Sequence, residues 1–78
     1  MNLWELPEQK VAGVERFDDS LPKEFALRLN EIGIHRGSSI KCLKVVPFNG
    51  PRVYQISDGV FSLEKSAAER IYLSGTQS

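Results

Sequence analysis

The stretch Leu29-Asn30-Glu31-Ile32-Gly33-Ile34-His35-Arg36-Gly37 limits what this chain can fold into more than any other. It reads as the end of a helix, a left-handed stop and the lead into a strand. Glycine takes positive φ without a Cβ clash, so Gly33 suits the position just past a helix. Ile34 then falls at C″ and Leu29 at C3, the pair that makes the apolar contact of a Schellman cap. Gly37 repeats the device and turns the chain into the next strand. The helix before this stop spans Pro22 to Ile32. Proline fits the first turn, where a missing N–H is no loss, and Glu24 complements the helix dipole. Phe25, Leu29 and Ile32 recur at i, i+4 and i+7 as one buried stripe. Leu27 lies opposite that stripe beside Asn30 and Glu31, either as a stray surface leucine or as a contact.

The remainder reads as β-structure. Lys10 to Phe17 is a strand whose broken alternation is reconciled by a bulge at Gly13. Asp18-Asp19-Ser20 ends it with turn formers. Ser39 to Pro47 is a long strand, apolar on both faces near its end, as expected of a strand bending round a small barrel. Phe48-Asn49-Gly50-Pro51 is a loop. Arg52–Ile56 and Val60–Leu63 flank Ser57-Asp58-Gly59, a hairpin signal. Glu64–Glu69 has helix formers but is too short for a free helix, so one helical or 3₁₀ turn is expected. Arg70–Leu73 is a last short strand, and residues 74–78 form a polar tail expected to fray. Leu3 and Leu6, spaced on one face of a turn ended by Pro7, plug one end of the core. Trp4 between them either packs or points outward. The expected fold is mainly β with one α-helix, a small barrel of about five strands that removes exposed edges by closing.

Charge and length exclude several classes of function. Ten basic and ten acidic residues cancel, so no nucleic-acid partner is expected. Lys41, Lys44 and Arg52 with Tyr54 would form only a small basic patch. The 78 residues make one domain, 1–78, with a thin core. No apolar run reaches the ~20 residues of a membrane span, and residues 1–5 lack a signal-peptide pattern, so a cytoplasmic protein without membrane insertion is expected. One cysteine, Cys42, excludes an internal disulfide.

Catalytic patterns are missing. There is no phosphate-binding glycine loop, no nucleophile elbow and no paired acid and base. With a single histidine, and Cys42 placed in a buried strand where a thiol is inert, a zinc site built by this chain is not expected. His35 could join Glu31 as a weak surface site for a divalent cation, although an exposed loop histidine is the commoner outcome. No resident cofactor is expected, and the sequence does not set an oligomeric state.

The order of motifs resembles the FeoA family, small accessory proteins of bacterial ferrous iron uptake. The likeness runs from Leu3 to Leu73. Leu3-x-x-Leu6-Pro7 is similar to the family's opening. Arg28-Leu29-x-Glu31-Ile32-Gly33-Ile34-x-x-Gly37 resembles its R-L-x-E-L-G-[FLM]-x-P-G signature. Pro47-Phe48-x-Gly50-Pro51 and Leu63 followed by Ala68-x-x-Ile71-x-Leu73 resemble its later segments. Gln9 stands where the family has a glycine, and Arg36 where it has a proline. The resemblance implies an SH3-like barrel and a role beside FeoB, a membrane transporter with a cytosolic GTP-binding domain. The same barrel occurs as the ancillary domain of iron-dependent repressors, which leaves a metal-linked regulatory domain as the alternative. The residues themselves, not a family motif, suggest Leu27, Glu31, His35 and Arg36 as the docking surface: a small apolar anchor with a charged rim.

Overall fold

In the computed structural model the described residues are 1–77. Five antiparallel strands make one sheet in the order β4-β3-β2-β1-β5, namely β1 Val11–Phe17, β2 Ser39–Lys44, β3 Arg52–Ile56, β4 Gly59–Leu63 and β5 Ile71–Gln77. Helix α1 (Lys23–Glu31) bridges β1 and β2, the single turn α2 (Lys65–Ala68) bridges β4 and β5, and a 3₁₀ turn, Leu3–Glu5, precedes the sheet. A flat five-stranded sheet would be roughly 10 Å thick. This molecule measures 28 × 26 × 23 Å, and side chains from all five strands meet in one buried cluster, so the sheet curls around its own core.

The curl follows from irregularities in the central strands. The β1–β5 register shifts at Gly13/Val14 and again at Val14/Arg16, as the broken alternation of β1 predicts. The β2–β3 register shifts between Cys42 and Lys44. Bulges bend and twist a strand, which lets a short sheet wrap. The concave face is lined by Ala12, Val14, Ile40, Cys42, Tyr54, Ile56, Leu63, Ile71 and Leu73, all buried. Leu29 and Ile34 reach it from α1 and its cap, Ala68 from α2, and Leu3 and Leu6 from the N-terminal turn. Each such aliphatic side chain contributes about 1.5–3 kcal/mol by leaving water.

The helix stop forms as the sequence predicts. Gly33 has φ +98°, the Ile34 N–H donates to the Leu29 carbonyl at 2.8 Å, and the Gly33 N–H donates to that of Asn30 at 3.1 Å. Those two bonds are the Schellman pair. Pro22 and Ile32 flank α1 as its caps instead of lying inside it, and of the expected stripe Leu29 is buried while Phe25 and Ile32 are half-buried against the core.

Three boundaries differ from expectation. β2 stops at Lys44, not Pro47, because Leu43 bulges and the Val45 N–H leaves the ladder to donate to Glu8 Oε1 at 2.7 Å. The hairpin turn is Ser57-Asp58, with the positive φ of +52° on Ser57, and Gly59 already pairs with Ile56. Gly59 is needed for space: a Cβ there would collide with the Phe61 ring. The tail does not end the strand at Leu73. β5 continues to Gln77, opposite Val11, so β1 gains a partner on both sides. Ser78 lies outside the described residues. The outer edge of β5 is partly covered by the chain start: the Leu73 N–H donates to the Met1 carbonyl at 2.8 Å, and Asn2 bridges Tyr72.

Candidate functional site

Along the outer side of α1 and the loop after it, Leu27, Glu31, His35 and Arg36 are all exposed, with 61% of Leu27 accessible. Leu27 and Glu31 are four residues apart and share a helix face. His35 and Arg36 follow once the cap has turned the chain. The loop that carries them is tightly held. The Ser38 hydroxyl donates to the Gly33 carbonyl at 2.7 Å and accepts the His35 N–H at 3.0 Å. The Ser38 N–H donates back to the His35 carbonyl, and the Gly37 N–H, at a residue with φ +91°, donates to the Val14 carbonyl. The His35 ring lies against its own loop, Nδ1 to the Arg36 carbonyl at 3.1 Å. Ser38 is the residue that reading the sequence missed here, since a hydroxyl after a glycine carries no signal of which carbonyl it will meet.

The signature residues divide into framework and surface. Leu29, Gly33, Gly37 and Ala68 shape the core and the cap. Pro47 is exposed and accepts the Gly50 N–H, and Arg28 is exposed beside Pro22, Glu24 and Phe25. A concavity lies at the other end of α1. Ser20, Leu21, Pro22, Phe25, Ser66 and Arg70 line about 330 Å³ there. Its wall is braced by a polar chain: Asp18 accepts from the Ser20 N–H, the Ser20 hydroxyl and Tyr72 Oη, while Arg70 donates to Ser20 Oγ and to the Ser66 carbonyl. The Ser20 hydroxyl, ahead of its N–H, holds the Asp18 carboxyl below the usual carboxylate range. None of the four residues expected as a docking surface lines this concavity.

The N-terminal turn, packed against α2 and β5, acts as a plug. An Asn2 capping box starts it, with the Asn2 side chain accepting the Glu5 N–H and Glu5 Oε1 accepting the Asn2 N–H. Trp4 packs instead of pointing out: the Arg52 guanidinium lies 4.1 Å from its ring centroid and donates to its carbonyl. Arg52 is thus committed to the plug and Tyr54 is buried, donating to the Leu3 carbonyl at 3.3 Å, so neither joins Lys41 and Lys44 in a basic patch. Burial pushes the Tyr54 phenol and the Cys42 thiol up. Gln9 takes φ +70°, which explains why a glycine suits that place, and its amide donates to the Leu43 carbonyl at 3.0 Å.

Beyond this plug the β2–β3 loop shows a feature absent from the sequence reading. Phe48 is 98% exposed with φ +61°, and Asn49 follows with φ +56°. No cluster of three or more His, Cys, Asp or Glu able to hold a metal occurs among the described residues. No helix among them is long and apolar enough to cross a membrane.

Comparison with known proteins agrees with this architecture. The FeoA domain family matches residues 1–74. A FeoA of Stenotrophomonas maltophilia, complexed with zinc and described as a prokaryotic SH3-domain protein, is 32% identical, with a TM-score of 0.81 over 95% of this chain and 89% of that one. The FeoA protein of Chlorobium tepidum is 25% identical, with a TM-score of 0.85 over 94% of this chain and 68% of that one. A manganese-dependent transcriptional repressor is 25% identical, with a TM-score of 0.82, but the chain covers only 40% of it. No curated protein matches. The curled five-stranded sheet is therefore an SH3-like barrel, and the chain belongs to the FeoA family of ferrous iron transport accessory proteins.

Proposed function

We propose that this protein acts by binding and not by catalysis, docking onto the cytosolic GTP-binding part of a FeoB-type transporter and modulating it. The observation that carries the reading is Leu27, an aliphatic side chain exposed on the outer helix face, with exposed Glu31 one turn on and exposed His35 and Arg36 in the loop that follows. The Schellman stop and the Ser38 bonds hold that rim in one conformation, which lowers the entropy lost on docking. An apolar centre with a charged rim is the usual anatomy of a protein contact. Such a protein works on the cytoplasmic side and needs neither nucleic acid nor its own membrane insertion. The test is binding of a Leu27→Asp variant to the transporter's cytosolic domain. An affinity loss of about tenfold or more is expected of a hot spot. Unchanged affinity with an intact fold would remove this surface.

The likeness to the manganese-dependent repressor favours one second reading, a metal-linked regulatory domain. Glu31 and His35 are the residues on which a weak Fe²⁺ contact would rest. Calorimetric titration with Mn²⁺ separates the readings: stoichiometric heat, lost in His35→Ala, supports sensing, and its absence supports docking.

A further inference from the structure

The β2–β3 loop presents Phe48 in a way that only an outside contact makes use of. Residues 45–51, Val-Val-Pro-Phe-Asn-Gly-Pro, carry no charge in a chain that is 26% charged. Val45, Pro47 and Phe48 are exposed, and Phe48 almost completely so. The loop is nevertheless ordered from both ends. The Val45 N–H is held by the Glu8 carboxylate, the Gly50 N–H donates to the Pro47 carbonyl at 3.3 Å, and Val46 packs over Gly50, where a Cβ would come within 2.7 Å of Val46 Cγ2. Phe48 and Asn49 take the paired positive φ values of a type I′ turn. Asn49 suits that turn and Phe48 does not, because a bulky L-residue is strained in the left-handed region. The side chain thus gains no packing from the position and bears a backbone penalty for it.

We propose that Phe48 is the anchor of a second docking contact, entering an uncharged apolar pocket on the same protein partner that meets Leu27; this rests on the docking function proposed above. The charges select the occupant. The tip is neutral; of the charged groups at its base, Lys44 stands beside Val45, the Glu8 carboxylate holds the Val45 N–H, and the Arg52 guanidinium is turned onto the Trp4 ring and carbonyl. An anionic lipid surface is met by apolar side chains ringed with cations, and that ring is missing here. An aromatic side chain held rigidly above a neutral collar fits a concave protein pocket. β2, with its 6 residues, separates this loop from the loop bearing His35 by roughly 20 Å. One interface of about 800 Å² per partner spans that distance.

The experiment measures Phe48→Asn against wild type, Leu27→Asp and the double variant, in thermal melting and in binding to the transporter's purified cytosolic domain. Asparagine accepts the left-handed conformation, so Phe48→Asn is expected to melt no lower than wild type while losing about 30-fold in affinity. The two single losses are expected to multiply in the double variant, the sites being too far apart to couple. Wild-type affinity in Phe48→Asn, or a lowered melting temperature there, overturns the Phe48 contact while Leu27→Asp judges the docking function separately. Failure of the wild type to bind the domain overturns the docking function and this contact with it. Wild-type binding to phosphatidylglycerol vesicles that disappears in Phe48→Asn overturns the protein pocket in favour of lipid.

Discussion

Removing the Ser38 hydroxyl breaks two bonds at once, one to the Gly33 carbonyl and one from the His35 N–H. Ser38→Ala is expected to lower stability by about 1–3 kcal/mol, read as the shift in urea midpoint at constant slope. Gly33→Ala strikes the same cap differently. It forces a side chain into φ +98° and brings its Cβ to 3.2 Å from Ile56 Cγ2, so a loss of about 1–2 kcal/mol or more is expected. Asp18 makes stability depend on acid. Its folded value lies below the ordinary 3.8, so its contribution is complete above that value and disappears as pH falls through the folded value. Asp18→Asn should therefore flatten the acid limb of a stability-versus-pH curve and leave the neutral region nearly flat. Gly33 was legible in the sequence because its conformational need is intrinsic to the residue and its position after an apolar stripe is local. Gln9 and the Phe48 loop were not, because their roles depend on where distant chain passes, the Leu43 carbonyl over Gln9 and the Glu8 carboxylate under Val45. Ser38 meets only the nearby Gly33 and His35, but which of them a hydroxyl will bond is set by the turn and not by residue type.

At the scale of elements, the N-terminal turn and β3 are fastened by Arg52 over Trp4. Trp4 is the single tryptophan, so its fluorescence reports the plug alone. Arg52→Ala is expected to red-shift that emission and to lower stability by about 1 kcal/mol, since a cation–π contact at a partly exposed site is worth roughly that. The elements themselves were readable from period and turn chemistry. Their ends were less so. The apolar run Val45-Val46 has strand composition, yet a bulge and a side-chain acceptor drew it out of the ladder. The polar residues after Leu73 have loop composition, yet β1 offered them an open row of backbone partners. Pairing opportunity, which is non-local, overrode local preference in both cases. The surface of α1 was readable in the same limited sense: helical phase placed Leu27 outside, while the concavity near Phe25 required the β1–α1 connection, α1 and α2 to converge.

For the whole molecule, a core this small makes stability collective. Leu3 and Leu6 are fully buried, and the Leu3 carbonyl accepts from Tyr54. Deleting residues 1–6 removes both side chains and uncovers the edge of β5, at a cost of about 4 kcal/mol or more, most of the ~5 kcal/mol of a small domain. Circular dichroism of the truncated chain is expected to show loss of the cooperative melt. The lone thiol of Cys42, sealed in the middle strand and kept protonated by its surroundings, turns that cooperativity into a clock. An alkylating reagent can reach the sulfur only during the moments when the strands part. The pace of mass gain in buffer, with no denaturant added, therefore counts how often the closed form lets go.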